Sequence, residues 1–425
     1  MMVPSASEIM TAEIIPFRTQ QLIASEATAF RKPLLETPFH PRTAAANRLN
    51  SWTAWAGYTT PVAYEDPVQE YFAVRNQAGV FDISPLIEYR ISGAGAAAYL
   101  DRLQLRSMAK LKPGRVAYTA WCDDKGMVID DGTLFRLGPN DFHLCCQERM
   151  LPWLLDSATG FDVSVNEETE DIVGLSLQGP ASFAVLDRLK LPGIERLKPF
   201  DLAGFELGDV PIIISRTGFT GDLGYEFWVT PEYALYLWDR LFEAGAGLGL
   251  RPFGNTALNW ARIEAGFVMA GADFVGAENV LRPDRARSPF ELGLGWMFDP
   301  AKGPFNGRKA LLKEGTEGTS RFQLVGLDIE GNIPAESALI YYKKGFDRWE
   351  EAGHVTAAMW SPTLKKNIAL ASVQNLYATK YADNLYAEIY VMRELVWQKL
   401  MVKVALTERP FLKLARRTAN PPGRF

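Results

Sequence analysis

Residues 216–226 constrain the fold most, because they place three glycines and an acidic residue between two β-rich runs. The segment reads RTGFTGDLGYE, and the runs that flank it are 212–215 and 227–230. This pattern predicts a strand, a tight polar loop and a second strand. We expect the glycines to adopt positive φ and to let a ligand approach the main chain closely. Alternation along the second strand can aim Glu226 into a cavity.

Two other interpretations of this glycine-rich segment need weighing. A phosphate-binding loop is excluded, because no Gly-Lys-Ser or Gly-Lys-Thr follows Gly224 and no helical pattern opens there. The helix N-terminus that would hold a phosphate is therefore missing. A plain hairpin with a solvated acid stays open as the structural alternative.

Length and composition are typical of a globular protein with two or three domains. The chain has 425 residues, of which 48% are hydrophobic and 22% charged, and this balance argues against disorder. No apolar run reaches the length of a membrane span, and the N-terminus has no basic region followed by an apolar core. We therefore expect a cytoplasmic protein without a membrane partner. The net charge of −5 gives no reason to expect nucleic acid.

The cysteines and histidines exclude several kinds of chemistry. Three cysteines, two of them adjacent, do not make a disulfide framework and are expected to be reduced thiols. The three histidines are scattered and form no metal-ligand spacing, so we expect no metal site. The sequence therefore has no residue pattern for methyl transfer by a zinc-bound thiolate or for hydrolysis with a catalytic histidine.

Hydrophobic periodicity predicts an α+β protein with antiparallel sheets. Apolar residues at three-to-four spacing predict helices at 67–77, 95–103, 180–189, 231–244 and 256–266. Strand patterns fall at 88–92, 116–121, 129–136, 142–146 and 172–177. Strands in pairs with helices between them favour antiparallel sheets over a doubly wound fold.

The pattern also divides the chain. Residues 1–36 are predicted to be an irregular leader, and 37–300 a region in which strand and helix patterns alternate irregularly. Residues 299–320, rich in Gly, Lys and Pro, are interpreted as a connector. Beyond them, 320–420 contain six strand-like runs with little helix, which predicts a small β-barrel or jelly roll.

Seven ordered motifs carry a family resemblance. Residues 216–226 resemble the Arg-x-Gly-Tyr-Thr-Gly-Glu-x-Gly-x-Glu signature of the tetrahydrofolate-dependent aminomethyltransferases, whose type member is the glycine cleavage T-protein. The other matches, in the family's order, are 56–58 with 61–64, 79–84, 126–131, 177–180, 262–266 and 361–367. Together they span roughly residues 37 to 412. The resemblance implies three domains arranged as a cloverleaf around a central folate pocket. It also implies that 37–300 is the folate-binding catalytic region, made of two interleaved α+β subdomains.

The resemblance also implies which residues bind tetrahydrofolate. Glu226 corresponds to the glutamate that holds the pterin edge, since a carboxylate can accept two parallel hydrogen bonds from a 2-amino-pyrimidinone. Phe219 stands where the family usually has tyrosine. Trp296, which we expect on a strand, matches an aromatic residue that flanks the folate rings. Tyr118 and Arg262 complete the expected folate-binding set.

Asp131 is the expected catalytic residue. It follows Asp130 at the end of a β-rich run, so alternation sends one carboxylate inward and the other outward. A solvated turn is the alternative for two such acids. The resemblance places the catalytic aspartate at Asp131, where a carboxylate can orient a reduced pterin and stabilise positive charge.

Three departures from the T-protein pattern bear on the substrate. Leu258 stands where the T-protein has an arginine, Cys146 where it has a folate-contacting asparagine, and Pro85 where a histidine is common. A pocket that loses a cation and two polar groups binds a different donor. Trp55 and Tyr58, with Trp52 and Tyr64 nearby, offer aromatic faces that attract methylated cations.

These departures make a methyl-transferring demethylase the first expectation. It would move a methyl group from a small sulfonium, quaternary ammonium or methoxy-aryl donor to N5 of tetrahydrofolate, with a mild preference for cationic donors and without a carrier protein. The alternatives are an aminomethyltransferase that uses a lipoylated carrier and a non-catalytic folate-binding assembly factor. Arg282, Arg285 and Arg287 lie in a long loop that could meet a folate tail or a substrate carboxylate.

Overall fold

The structure is a computed structural model that describes residues 34–346 and 348–421. Residues 1–33 of the predicted leader lie outside the described residues. The last part of the leader does have a defined contact, because Leu35 forms a parallel bridge with Tyr58. The domain boundaries given above stay predictions.

The helices follow the sequence patterns closely. Helix α2 begins where expected, because the Asp66 side chain accepts the N–H of Val68 at 2.8 Å and Pro67 occupies the first turn. In chain order the helices are α1 His40–Ala46, α2 Pro67–Asn76, α3 Ala96–Leu103, α4 Leu151–Ser157, α5 Ser182–Arg188, α6 Ala234–Ala244, α7 Asn255–Glu264, α8 Arg308–Glu317 and α9 Asn375–Thr379.

Two sheets and a ribbon make up the N-terminal part. The ribbon is an antiparallel pair that turns at Ala56 and Gly57, both with positive φ as a two-residue hairpin requires. Its strands are β1 Ser51–Trp55 and β2 Tyr58–Ala63. The five-stranded sheet has the order β5-β6-β7-β4-β8, with β4 Ile87–Ser92, β5 Arg115–Cys122, β6 Val128–Gly138, β7 Asp141–Cys146 and β8 Ser164–Glu167.

The six-stranded sheet carries the glycine-rich segment between two of its strands. Its order is β10-β11-β12-β9-β3-β13, and only the β3–β13 pair is parallel. The strands are β3 Ala78–Asp82, β9 Val173–Gln178, β10 Leu202–Leu207, β11 Val210–Ser215, β12 Gly224–Val229 and β13 Leu250–Pro252. Helices α5 and α6 pack on this sheet over an aliphatic core that includes Leu175, Leu186 and Leu237.

The C-terminal part is a closed antiparallel barrel in the order β14-β17-β16-β15-β18-β19. Its strands are β14 Phe322–Ile329, β15 Leu339–Lys343, β16 Trp349–Ser361, β17 Lys366–Gln374, β18 Leu385–Arg393 and β19 Val396–Thr407. The predicted α+β class, with antiparallel sheets and a C-terminal barrel, is therefore confirmed.

Two local predictions were wrong. Residues 299–320 are not a plain connector, because they contain helix α8, which buries Leu311. The glycines that suggested a loop are its caps, since Gly307 and Gly318 both have positive φ at its ends. Trp296 lies on a 3₁₀ turn, Gly295–Met297, where a strand was expected.

Candidate active site

One large cavity brings most of the candidate residues together. Its volume is about 1540 Å³, and its walls come from both large sheets, helix α7, the barrel and the segment after the barrel. The candidate residues that line it are Trp55, Tyr118, Asp131, Phe219, Glu226, Leu258, Arg262 and Trp296. Tyr58 is buried and does not belong to the lining.

The two adjacent aspartates have different surroundings. Asp130 is fully buried and accepts the backbone N–H groups of Gln147 at 3.2 Å and Glu148 at 2.9 Å. Asp131 lines the cavity, and its Oδ2 accepts the hydroxyl of Tyr118 at 2.5 Å. Asp130 thus holds the turn after β7, while Asp131 is the carboxyl group that a ligand can reach.

Burial controls the protonation of the Asp131 pair. Desolvation raises the pKa of Asp131 to about 6, although the Tyr118 hydrogen bond favours the ionised form and lowers it. Burial and the neighbouring carboxylate together raise the pKa of Tyr118 well above its usual value. Near neutral pH, Asp131 can therefore gain or lose its proton, whereas the phenol of Tyr118 remains protonated.

Glu226 is another carboxyl group that lines the cavity. It sits on β12, and its Oε2 accepts a hydrogen bond from the Thr217 hydroxyl. Among the described residues, its Oε1 has no hydrogen-bond partner. Desolvation raises the pKa of Glu226 to about 7; the Thr217 hydrogen bond opposes this rise and the charge of Glu88 adds to it.

The three glycines of the signature segment do not all act as expected. Only Gly221 has a positive φ, and a Cβ on it would lie 2.5 Å from that of Ala265. Gly218 and Gly224 line the cavity, but a Cβ on either would overlap the amide of Gln178. These two glycines make room for a buried side chain, which is a packing reason that a single sequence does not show.

Aromatic rings and cations line other parts of the cavity. Phe219 stacks on Phe267 with ring centres 5.5 Å apart. Trp296 is 62% exposed, and its ring lies 6.4 Å from that of Tyr118 and 5.5 Å from the guanidinium of Arg106. The rim therefore offers a flat aromatic face next to a positive charge.

Arg262 lines the cavity but is largely committed to internal partners. It is 1% exposed, forms an ion pair with Asp273, and donates from Nε to Asn259 at 2.8 Å. Asp273 also accepts the N–H of Met269 and the hydroxyl of Thr356 on the barrel. Arg262 thus joins helix α7 to the barrel wall of the cavity.

The three departures from the T-protein pattern do not share one location. Leu258 and Cys146 line the cavity, whereas Pro85 is buried outside its lining. The Cys146 thiol donates to the carbonyl of Glu148 at 3.5 Å, and burial raises its pKa well above the usual range. Cys146 is therefore a neutral thiol in this wall.

The expected aromatic cluster is dispersed. Trp55 lines the cavity, packs 5.8 Å from Phe81, and donates its indole N–H to Gln147 at 3.0 Å. Trp52, Tyr58 and Tyr64 do not line it. Trp52 and Trp55 are three residues apart on β1 and so lie on opposite faces of the ribbon, and Tyr64 lies beyond the end of β2. The four rings therefore do not face the cavity together.

The basic loop does not supply the cavity's cations. Arg282, Arg285 and Arg287 lie outside the lining. Arg287 is buried, donates to Ser372 at 3.2 Å, and stacks 3.9 Å from the ring centre of Phe322. The proposal that this loop meets a folate tail or substrate carboxylate is not supported by its position.

Comparisons with known proteins agree over almost the whole described chain. A family model described as the GCVT N-terminal domain matches residues 42–302, and one described as the glycine cleavage T-protein C-terminal barrel domain matches residues 323–413. The chain belongs to the glycine cleavage T-protein family.

Individual T-protein family relatives carry two different names. An aminomethyltransferase of Halothermothrix orenii is 35% identical over 76% of this chain and 87% of its own length. One from Caldanaerobacter subterraneus subsp. tengcongensis is 33% identical over 84% of this chain and 91% of its own. A trimethylamine-oxide aldolase of Ruegeria pomeroyi is 35% identical over 83% of this chain but only 45% of its own.

A solved T-protein family structure has the same fold. The glycine cleavage system aminomethyltransferase T of Bartonella henselae superposes with a TM-score of 0.75 at 26% identity, over 89% of this chain and 98% of that one. Members of the family are tetrahydrofolate-dependent one-carbon transferases, which confirms the predicted enzyme class and folate cofactor.

The cavity fits the folate that the T-protein family uses. Among the described residues, Glu226 Oε1 has no partner, and Oε2 accepts only the Thr217 hydroxyl and keeps a second lone pair. Both oxygens can therefore accept from a 2-amino-pyrimidinone edge. Phe219 and Trp296 supply ring faces, and Arg106, Arg409 and Arg417 supply cations in the same lining. A reduced pterin with an anionic tail matches this combination of groups.

Sequence analysis missed four residues that shape this T-protein family site. Thr217 and Gln178 lie within motifs that it used, but neither was given a role. Arg409 and Arg417 follow the last strand of the barrel and line the cavity. No local pattern marks these two arginines, because the barrel must close before the chain returns to the cavity.

The part of the chain that the structure describes contains neither a metal-binding cluster nor a membrane-spanning helix. Over 34–346 and 348–421, no group of three or more His, Cys, Asp or Glu side chains could hold a metal ion. In the same part of the chain, no helix is long and apolar enough to cross a membrane. The cytoplasmic location stays a prediction.

Proposed function

We propose that this chain transfers a one-carbon unit from an amine nitrogen to tetrahydrofolate, with aminomethyl transfer as the first candidate. The relatives named aminomethyltransferase support this form over the demethylase that the sequence departures favoured. A carrier protein that presents the aminomethyl group, which we expected to be absent, thereby becomes part of the proposal.

One observation carries the proposal. Asp131 and Glu226, on different sheets, line the same cavity, and each accepts a hydroxyl hydrogen bond on one carboxylate oxygen. The two carboxyl groups can therefore have different roles: Glu226 can bind the pterin edge, while Asp131 faces the reacting atoms. When bound, tetrahydrofolate supplies the nucleophilic N5 that accepts the one-carbon unit.

Asp131 can support transfer in two protonation states. As a carboxylate it stabilises positive charge on a nearby nitrogen, and the protein holds it in place through Tyr118 rather than through solvent. With a pKa raised to about 6 by burial, it can also deliver a proton to a departing amine near neutral pH. Tyr118, whose pKa is raised well above its usual value by burial, keeps its proton throughout.

Demethylation of a small methylated amine is the second candidate, and the composition of one wall favours it. Leu258 and Cys146 place neutral groups where the family pattern has a cation and an amide, and Trp55 adds an aromatic face. Such a wall suits a methylated cation, at about 0.5–2 kcal/mol for a desolvated cation on a ring. The name of one relative, trimethylamine-oxide aldolase, supports a methylated amine N-oxide as a donor, although this chain spans only 45% of that protein's length.

Single-turnover assays separate the two candidates. The enzyme and tetrahydrofolate are mixed with an aminomethyl-lipoyl carrier, or with betaine, trimethylamine N-oxide, a methyl-bearing trialkylsulfonium or a methoxy-aryl compound. The folate products are then quantified. Methylenetetrahydrofolate from the carrier supports aminomethyl transfer. Formation of 5-methyltetrahydrofolate from a methylated donor alone supports demethylation instead.

Asp131→Asn serves as the matched control in each assay. It keeps the size of the side chain and can still accept the Tyr118 hydroxyl, but it cannot carry the charge or the exchangeable proton. A product that forms equally fast with this variant does not arise at the proposed site. If no donor gives a folate product with the wild-type protein, the amine-donor proposal is wrong.

A further inference from the structure

The fully buried amide of Gln178 lies at the centre of the signature loop. Its Nε2 donates to the hydroxyl of Ser176 at 2.9 Å and to the backbone carbonyl of Thr217 at 3.3 Å, and its Oε1 accepts the hydroxyl of Thr220 at 2.8 Å. One side chain from the end of β9 thus binds two residues of the turn between β11 and β12, Thr217 near its start and Thr220 in its middle. Buried amides with this many partners are costly to replace.

The loop sequence leaves space for this amide. Gly218 and Gly224 approach the Gln178 side chain so closely that any Cβ on them would overlap it. In the sheet, Gly224 also pairs directly with Gln178. Two glycines with ordinary φ values are therefore explained by contact with Gln178, without any need for positive φ.

Gln178 reaches the site through Thr217. The carbonyl of Thr217 is held by the amide, while the hydroxyl of the same residue donates to Glu226 Oε2 and lies 2.7 Å from the hydroxyl of Ser215. Ser176, whose hydroxyl accepts a hydrogen bond from the Gln178 amide, pairs with Glu226 in the sheet. The backbone position of Thr217 therefore sets the direction of the hydroxyl that contacts the carboxylate.

We propose that Gln178 is a positioning residue for Glu226: it fixes Thr217 so that the threonine hydroxyl holds one carboxylate oxygen and leaves the other for a ring-edge donor. This proposal rests on the proposed folate site. Gln178 itself is fully buried and does not line the cavity, so it acts only through Thr217.

The electrostatics of Glu226 give an independent readout. The Thr217 hydrogen bond lowers the pKa of Glu226 against the larger effect of burial, and Glu88 is the charged neighbour that raises it further. Glu88 is paired with His143 on β7, and the hydrogen-bond partners of Gln178 are Ser176, Thr217 and Thr220 instead. Loss of Gln178 should therefore release Thr217 and move the Glu226 titration upward without changing the Glu88–His143 pair.

The test is a double-mutant cycle with Gln178→Met and Thr217→Val. Methionine keeps the length of glutamine and removes its hydrogen bonds, while valine keeps the shape of threonine and removes the hydroxyl. Tetrahydrofolate affinity is measured by calorimetry, and the Glu226 carboxyl is titrated by ¹³C NMR in ligand-free, ¹³C-glutamate-labelled protein, with Glu226→Gln to assign the signal. Val185→Ala, a change in the core of the same sheet away from the cavity, controls for lost stability.

We expect each single variant to weaken folate binding about tenfold, the scale of one hydrogen bond to a charged group, and to raise the Glu226 titration midpoint. The double variant should bind tetrahydrofolate no more weakly than the single variant with the lower affinity. Val185→Ala should change neither the folate affinity nor the Glu226 titration midpoint. Two results would overturn the proposal. One is a Gln178→Met variant with the tetrahydrofolate affinity and the Glu226 titration midpoint of the wild type. The other is a double variant in which the losses of folate affinity from the two single changes multiply.

These results also separate this inference from the folate assignment. If Glu226→Gln binds tetrahydrofolate as tightly as the wild type, the folate role of Glu226 fails, but the ligand-free titration still tests whether Gln178 positions its carboxyl group. A raised midpoint in Gln178→Met then supports the positioning role alone. An unchanged midpoint rejects it whatever the folate result.

Discussion

The carboxylate of Glu264, the last residue of α7, accepts a hydrogen bond from the hydroxyl of Ser361 at the end of barrel strand β16, and both residues are fully buried. Glu264 also accepts the Tyr71 hydroxyl at 2.5 Å and pairs with Arg75 at 2.8 Å. Arg75 extends this network to Asp222 of the signature loop, at 3.4 Å. Motif residues far apart in sequence thus form one buried connection between the barrel and the cavity wall.

Replacing Arg75 should cost stability rather than chemistry. Arg75→Met leaves the buried carboxylate of Glu264 without its cation, whereas Asp222 keeps its ion pair with Arg416. We therefore expect a loss of about 3–5 kcal/mol in the free energy of unfolding. Urea unfolding measures it. The control is Arg42→Met, which breaks the exposed pair with Asp239 and should cost less than about 1 kcal/mol. Equal losses for the two variants would contradict a central role for the network.

Glu226→Gln should weaken tetrahydrofolate binding by about 1–3 kcal/mol. The amide keeps the shape of the side chain, but it replaces one acceptor oxygen with a donor and removes the charge. Calorimetric titration of the wild type and the variant provides the comparison. Indistinguishable dissociation constants would remove Glu226 from the folate site.

The two adjacent aspartates should fail in different ways. Asp131→Asn should lower kcat by roughly 10²–10⁴-fold with little change in folate affinity, because charge stabilisation and proton delivery matter mainly in the transition state. Asp130→Asn should chiefly lower stability, since Asp130 accepts the N–H groups of Gln147 and Glu148. Steady-state kinetics and thermal unfolding of both variants distinguish these effects. A larger kcat loss for Asp130→Asn would mean that their roles are reversed.

The pH dependence of stability should reflect the raised pKa of Glu226. Its folded pKa is raised by burial to about 7, above the unfolded value, so the folded state binds this proton more tightly. The resulting stability is fully present below the unfolded pKa and is lost as pH rises toward and through 7. Glu226→Gln should remove this dependence, making the ligand-free variant more stable at neutral pH by roughly 1–3 kcal/mol for a partly buried group.

Urea unfolding from pH 4.5 to 8 tests this sign. Asp131, Asp130 and Glu88, whose pKa values are also raised by burial, remain in the variant and contribute their own pH dependence. The difference between the wild-type and variant curves therefore isolates Glu226. A variant that is less stable than the wild type across the whole range would show that Glu226 is ionised and stabilised in the folded protein.

The sequence alone determined the features that depend on local pattern. Periodicity predicted helices such as α2 and α6 and all six barrel strands, because amphipathic spacing and alternation reflect which face each element buries. The resemblance carried by seven short motifs pointed to the folate cavity, and eight of the nine candidate site residues line the cavity. Alternation alone left the choice between Asp130 and Asp131 open.

Tertiary structure decided what depends on contacts between distant segments. It placed Asp131 in the cavity and Asp130 against the backbone of Gln147 and Glu148. It assigned Gly218 and Gly224 to the packing of Gln178, left Tyr58 outside the lining, and brought Arg409 back to the cavity after the barrel. None of these follows from a local pattern, because each depends on which residues far away in the chain occupy the space beside it.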